Sequence, residues 1–499
     1  MVAAAVLALT VIAPQTRANP VVAGNYPDPT VLRVGRDYWA SATTSEWAPV
    51  FPILHSRDLV NWTLAGSMFQ RAPKWADWGF WAPELGMVGG RLRAYYSAHR
   101  KGTGFCVAVA TAPRPQGPWV DTGPILCPPR GAIDAFPTRD EDGIPYLLWK
   151  EEGRAVGFGT TIQASRLSPD GLRVVGPPKP LIVNDLPWEG SVVEGPAVVR
   201  RGGSFFLLYA ANGCCGGGCS YVQGVARAKS LLGPYEKRPR PVLSGGGGWR
   251  CPGHGTPVRG PGGRDALLYH AYRAQSGALV GRELLSDPIR WGSDGWPLIG
   301  AGVPALERAG GAPGRTVAVQ EEWDDRRLDA EWGWPQAYAP RRRVDPRSGG
   351  RLLLTPRPNL LDVDGAVVAR RSTSRRWTAT AEVRRPTAPK VRAGVGAFRV
   401  ARDGVDAFGI AAGASTIIVW RRHNTDLQVL AEVATPPVQL VSLRLTLRDE
   451  TLRFAVRRSG LWVPIGGANS AAPLGTVRIG PTAGGGTAVI ERTEIDFVR

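Results

Sequence analysis

Short apolar runs separated by turn residues dominate the first three hundred positions of the chain. DYWASAT from residue 37, LRAYYSA from 92, IPYLLWK from 144, SFFLLYA from 204 and DALLYHA from 265 each read as a buried strand. Each follows a glycine-bearing turn (VGRD, VGGR, EDG, RRGG, GPGGR) and precedes, at some distance, a polar strand-and-turn signal: HSRDLVNW, TAPRPQGPW, SRLSPDGL, AKSLLGPY or LLSDPIRW. No long stretch has the helical spacing of apolar residues, so the pattern predicts an all-β chain. A unit of about four short strands, recurring five times over roughly 290 residues, predicts a five-bladed β-propeller across residues 20–300. A plain sandwich would not repeat at this length.

The pattern changes after residue 300. AGVPALERAGGAPGRT (301–316) is small, polar and broken by Pro and Gly, and reads as a linker. EEWDDRRLDAEWGWPQ then opens a run of short strands, among them TATAEV, VGAFRV, TIIVWR, VSLRLTLR and LRFAVRR, that ends in IERTEIDFVR. These predict an antiparallel β-sandwich over 317–499.

Composition sharpens the picture in three places. At 499 residues the chain is too long for one ordinary core, which agrees with two large domains. The formal charge of +19 is an arginine bias, since only seven of the 61 basic residues are Lys, and it is spread along the chain. The densest cluster, RRRV at 341–344, is short, and no basic block is interleaved with aromatics. Diffuse charge of this kind gives non-specific attraction rather than a reading surface, so no nucleic-acid partner is expected; affinity for acidic polysaccharide is an equally direct consequence. Residues 1–18, MVAAAVLALTVIAPQTRA, resemble a secretory signal without its basic start and are too short to span a bilayer, which predicts secretion and no membrane anchor. Six cysteines, an even number, suit export and disulfides. The cluster Cys214, Cys215, Cys219 lacks paired CxxC spacing and a nearby His, so disulfides, including a vicinal one, are favoured over a metal.

Candidate chemistry lies ahead of the five strand signals. The segments DPTVLRV, ELGMVGG, DAFPTRD, EGPAVVR and HGTPVRG begin at Asp28, Glu84, Asp134, Glu194 and His254. Every repeat therefore opens with an ionisable residue. In a propeller the first strand of each blade lines the central channel, so four carboxylates and one imidazole are expected to converge at one mouth. Crowded carboxylates raise one another's pKa, which is costly unless chemistry or a cation uses it. Glycoside hydrolysis uses it: one protonated acid serves the leaving oxygen and one ionised carboxylate activates water or attacks the sugar.

NYPDPTVLRV, WAPEL, IDAFPTRDEDGIPYLLW, WEGSVVEGPAVVRRGGSFFLLY and CPGHGTPV resemble the catalytic segments of glycoside hydrolase family 43, over about residues 20–300. The resemblance implies an inverting five-bladed propeller that cleaves arabinofuranosides, xylosides or arabinan. It implies Asp28 as general base, Glu194 as general acid, and Asp134 as the group that raises the pKa of Glu194 and orients it. It further implies Trp81 against the terminal sugar and Arg282 on the sugar hydroxyls, with Glu84 a candidate substrate contact. His254 would sit near the axis and face a hydrated calcium ion, although the chemistry itself requires no cofactor. Plainer readings stand beside these: Trp81 as blade packing near Trp75 and Trp78, Arg282 paired with Glu283 or Asp287, and His254 as a structural residue. WDDRRLDAEWGW with VVARRSTSRRWTATAEV resembles the concanavalin-like sandwich of exo-acting relatives, where it can close the pocket. The expected protein is a secreted, monomeric, inverting exo-glycosidase acting on arabinose- or xylose-containing saccharides. An endo-arabinanase and a non-catalytic carbohydrate-binding propeller are the alternatives.

Overall fold

The computed structural model describes residues 19–152, 159–275, 278–306, 316–325, 327–337, 339–345, 350–358 and 362–498. The predicted signal segment 1–18 and most of the predicted linker (307–315) lie outside the described residues.

Five four-stranded antiparallel sheets follow one another along the chain, each a simple meander. Their innermost strands are Thr30–Val34, Trp78–Val88, Ala132–Arg139, Val193–Arg201 and Trp249–Arg259, and these touch in a closed ring. The five-bladed propeller is thus present as the repeats predict. The second strand of each blade explains the unbroken apolar runs. Successive side chains of a strand point to opposite faces, and in Ser204–Ala211 both faces are covered: Phe205, Leu207 and Tyr209 pack toward blade 3, while Phe206 and Leu208 pack toward blade 5. Five such cores, one per seam, fill the spaces between neighbouring blades.

The ring closes through the start of the chain. Val22 and Leu284 bridge blade 5, Tyr26 N–H donates to the Arg282 carbonyl, and the Asn19 side chain donates to Asp287 and accepts from Ser286 N–H. Three disulfides, Cys106–Cys127, Cys214–Cys215 and Cys219–Cys251, use all six cysteines, including the vicinal pair.

The C-terminal region forms a nine-stranded and a seven-stranded antiparallel sheet packed face to face over one large core. It is joined to blade 1 by backbone pairing: Trp334–Pro335 pairs with Trp47–Ala48, and Gln336 binds the carbonyls of Ser45, Glu46 and Trp47.

What positions the channel residues is a left-handed backbone turn near the head of each innermost strand. Asp28 (φ 52°), Ala82 (42°), Asp134 (58°), Gly195 (56°) and His254 (49°) all have positive φ. The strand register breaks around the last four, between Trp81 and Glu84, Ile133 and Phe136, Glu194 and Ala197, and Gly253 and Thr256. Such a bulge re-aims a side chain and leaves an N–H without its ladder partner. At four seams an adjacent blade supplies the acceptor: Ala82 N–H donates to Thr43 Oγ1 (2.7 Å), Asp134 N–H to Ser97 Oγ (3.0 Å), Gly195 N–H to Asp134 Oδ2 (3.0 Å) and Asp28 N–H to His270 Nδ1 (3.0 Å). Leaving such a buried donor unsatisfied costs about 1–3 kcal/mol. Ser97→Ala is therefore expected to lower the urea midpoint of the propeller's unfolding transition by that stability, with the sandwich transition unmoved. An unchanged midpoint would show that the seam does not depend on this bond.

Candidate active site

The bulges bring Asp28, Asp134, Glu194 and His254 to one end of the channel but not Glu84. In blade 2 the left-handed position is Ala82, which places Glu84 two residues further along the strand, level with Thr30 and Thr256. There it accepts from the hydroxyls of Thr256 (2.9 Å) and Thr30, and burial, opposed by these two bonds, pushes its carboxyl up to about 8. The expectation of five equivalent ionisable positions is corrected at this point. Glu84 is a neutral brace linking blades 5, 1 and 2 rather than a member of the carboxylate cluster.

The remaining three carboxylates have unequal surroundings. Asp28 donates no proton and accepts from Arg282 Nη1 (2.8 Å) on one oxygen and from Thr43 Oγ1 (2.7 Å) on the other. Burial works to raise its pKa, but the Arg282 guanidinium above all, with His254 and the Thr43 hydroxyl, holds it well below the usual carboxylate range. Arg282 thus turns inward to Asp28, while Glu283 pairs with Arg273 and Asp287 accepts from Asn19 and Tyr269. His270 is fully buried, and burial followed by the charge of Arg282 drives its pKa far down, so it is neutral. Because its Nδ1 accepts from Asp28 N–H, its proton sits on Nε2.

Glu194 is gripped by Lys150 Nζ (2.8 Å) and Tyr221 OH (2.8 Å). Burial raises its pKa, yet the Lys150 charge and these two bonds bring the net shift below the usual glutamate value. Asp134 has no cation in contact. Burial pushes it up to about 6 against the pull of His254, with Glu194 and Asp28 adding to the rise and Lys150 opposing it. His254 Nδ1 lies between Asp28 and Asp134, at 3.6 and 3.9 Å. The two neighbouring carboxyls are thus pushed in opposite directions, Asp134 up and Glu194 down. Lys150 is the physical reason. Its side chain is 3% exposed, and Glu194 and Glu152 keep it charged although burial opposes this.

Lys150, Tyr221, His270 and Thr43 carry the electrostatics of the site and escape a reading of the innermost strands alone. For Lys150 a signal exists: it is one of seven lysines in an arginine-rich chain and ends the apolar run YLLW.

Trp81 stands at the rim, half-buried. It stacks on Phe105 (centroids 4.4 Å apart) and meets Trp78 edge-on (5.6 Å). The sandwich reaches this same rim. Arg402, in the hairpin between Arg392–Ala401 and Gly404–Ala412, lies 4.0 Å over the Trp78 ring.

The side chains around His254 leave few oxygens for direct contact with a calcium ion, so the hydrated ion implied there would be held through water. Asp28 and Glu194 each have both oxygens engaged by donors, and one Asp134 oxygen accepts the Gly195 N–H. Calcium takes about six to eight oxygen ligands. Among the described residues no group of three or more His, Cys, Asp or Glu side chains is arranged to hold a metal.

A propeller mouth with buried, unequal carboxylates is the apparatus of a glycosidase, and comparison with known proteins agrees. The sequence model of glycosyl hydrolases family 43 matches residues 17–297, more than half of the chain. A xylosidase/arabinosidase 43B of Humicola insolens is 31% identical over 394 residues, covering 72% of this chain and 70% of that protein. A xylan 1,3-beta-xylosidase of a Vibrio species is 26% identical over 519 residues, covering 92% of each. An extracellular endo-alpha-(1->5)-L-arabinanase of Bacillus subtilis is 28% identical over 290 residues, 54% of this chain and 86% of its own. The crystal structure of a xylan beta-1,4-xylosidase from Bacillus halodurans superposes with a TM-score of 0.79 at 22% identity, covering 96% of this chain and 99% of that one, and so shares the fold of both domains. The chain belongs to glycosyl hydrolases family 43 and is a glycoside hydrolase.

The Lys150 contact has a measurable consequence. Removing this cation removes the charge that lowers the Glu194 pKa, so Lys150→Met raises it. The Glu194 carboxyl then stays protonated to higher pH and, where it is the proton donor of the reaction, the basic limb of the kcat/KM profile moves up, by about 1–3 pH units for a paired buried charge. A limb that stays in place while the rate falls would reduce Lys150 to a packing role.

Proposed function

We propose that this protein is a secreted, inverting exo-glycosidase that removes terminal α-L-arabinofuranosyl or β-D-xylosyl residues from plant-type saccharides. The observation that carries the reading is the unequal partnering of three buried carboxylates at one channel mouth: Arg282 and Thr43 on Asp28, Lys150 and Tyr221 on Glu194, and only a backbone N–H on Asp134. Asp28, held ionised by Arg282, is the general base that draws a proton from the attacking water. Glu194 is the general acid. As it donates, Lys150 and Tyr221 stabilise the negative charge left on it, which makes it a strong acid at the moment of transfer. Asp134 positions Glu194 by accepting the N–H of the next residue, Gly195. The guanidinium edges of Arg282 that do not hold Asp28 are free in direction to meet sugar hydroxyls, and Trp81 offers the face against which a terminal ring lies.

Exo action is favoured by the sandwich hairpin, whose Arg402 sits on Trp78 at the rim of the mouth. It is favoured too by the relative that aligns through both domains, which is named a xylosidase, whereas the endo-arabinanase aligns over about half of the chain. Three disulfides support an oxidising, extracellular setting.

Hydrolysis of a panel of 4-nitrophenyl α-L-arabinofuranoside, β-D-xyloside and β-D-galactoside, with product anomers followed by NMR, tests sugar and stereochemistry together. Inverted arabinose or xylose is expected. Retention would overturn the base assignment of Asp28, and mixed oligosaccharides from linear arabinan would favour an endo-arabinanase. Glu194→Ala is expected to slow substrates with poor leaving groups by about 10²–10⁴-fold while sparing activated aryl glycosides, which need little protonation. Equal losses on both would remove the acid assignment. Asp28→Ala is expected to abolish both activities with the fold intact, and near-normal rates would remove the base.

A further inference from the structure

A second charged feature lies away from the channel, where the sandwich meets blade 1. A recess of about 1320 Å³ opens between the outermost strand of that blade, Trp62–Phe69, and the edge strand Arg341–Val344 of the nine-stranded sheet. Six guanidinium groups line it: Arg71, Arg327, Arg341, Arg342, Arg343 and Arg357, against the single carboxylate of Asp329. Three strand spacings separate this outermost strand from the innermost one, about 14 Å in all, so the recess is distinct from the catalytic mouth.

The arginines are poorly neutralised. Arg343 faces Asp345 at 3.6 Å, and Arg357 donates to the carbonyls of Ala337 and Ala339. Arg71, Arg341 and Arg342 have no carboxylate partner among the described residues. Arg342 lies over the Trp334 ring, 3.2 Å from its centroid. Burial and the neighbouring charge of Arg71 push the Arg342 pKa down to about 10. Two like charges held together in a partly desolvated recess are relieved by an anion.

We propose that this recess binds a carboxylated polysaccharide, a chain of uronate sugars, apart from the catalytic site. The guanidinium fork matches a carboxylate bidentately, and six guanidiniums lining one recess match a polymer that carries a carboxylate on each sugar. The recess exceeds the size of a single inorganic anion. A nucleic acid fits less well, because base stacking needs open aromatic faces. The tryptophans here offer none: Trp332 is 1% exposed, and Trp334 is 4% exposed under Arg342. The choice of a polysaccharide rests on the proposed action on plant-type saccharides, in which neutral pentose chains and acidic ones occur together. The recess would hold the acidic part of such material while the channel trims the neutral part.

The test is titration calorimetry of the full-length protein with hexagalacturonate at low and moderate salt. Measurable binding is expected, weakened at least tenfold in Arg71→Gln/Arg341→Gln, whose side chains are exposed and whose loss leaves the fold intact. Arg342→Gln serves as an independent second variant. Hydrolysis of aryl glycosides is expected to be unchanged in the double variant. Absence of binding, equal affinity for the methyl-esterified hexamer, or equal affinity in the variants would overturn the proposal. Tighter, arginine-dependent binding of oligothymidylate would overturn it in favour of a nucleic acid. Binding of the uronate by a protein inactive on the whole glycoside panel would leave the recess assignment standing and remove the catalytic reading alone.

Discussion

The site depends on one backbone constraint, the left-handed residue near the head of each innermost strand and the N–H that it strands. An ordinary strand would alternate side chains between the two seams and send none of them along the axis. Positive φ at Asp28, Asp134 and His254 breaks that alternation and turns the side chain into the channel. Non-glycine residues adopt this conformation at a cost of about 1–3 kcal/mol, and it persists only where the surroundings over-determine it. They do so here: Ser97 and His270 hold the freed donors of Asp134 and Asp28 from adjacent blades. Blade-to-blade packing and catalytic geometry are therefore the same set of bonds. In YPDP the two prolines restrict the chain on either side of Asp28, and the turn exists to aim the carboxylate.

With position settled by the bulges, chemical identity is settled by where the cations stand. Asp28, Asp134 and Glu194 share nearly the same burial, yet they differ in partners. Arg282 belongs to Asp28 and Lys150 to Glu194, and Asp134 has only the longer-range pull of His254. A single low-dielectric mouth thus carries two ionised groups and one that takes a proton near neutral pH. A carboxylate held ionised by an arginine is a weak but fully available base. A glutamate facing a lysine is reluctant to be protonated and quick to give the proton up. The pair trades population of the acid for its strength.

The parts of this arrangement that were legible in the sequence are those that repeat. The apolar second strands recur five times because each is buried on both faces, so the propeller could be read before any chemistry. The axial residues were legible to within two positions: Asp28, Asp134 and His254 fall on the left-handed turn, Glu194 just before it, and Glu84 two residues past. A motif offset of two is invisible in sequence but reverses the role, because it moves Glu84 from the cluster to a pair of threonine hydroxyls. The partners that set the pKa order were not legible. His270 lies 242 residues from Asp28 and Lys150 44 residues from Glu194, each on the second strand of a neighbouring blade. Ring closure brings the first pair together, and packing of consecutive blades the second. The RRRV segment was visible as a charge cluster, but Arg71, which turns it into one wall of a recess, belongs to a different domain.

The sandwich is tied to the same constraint from outside. The residues that lead into Asp28 are held on both sides: Asn25 Oδ1 accepts from Arg282 N–H of blade 5, and its carbonyl accepts from Arg371 Nε of the sandwich. Tyr26 is buried beneath the Arg371 guanidinium, 4.5 Å from its ring centroid, and its hydroxyl reaches Glu331. The segment that closes the ring, the one that presents the base and the one on which the second domain docks are thus a single stretch of chain. The left-handed aspartate lies on the chain-closing segment, which blade 5 holds from one side through His270 and the Arg282 carbonyl. Docking the sandwich there adds ion pairing and aromatic burial from the other side. The same domain then contacts the rim at Trp78 and walls the arginine recess at blade 1, so one interface supports the Asp28 segment, touches the rim and creates a second surface of opposite chemical character.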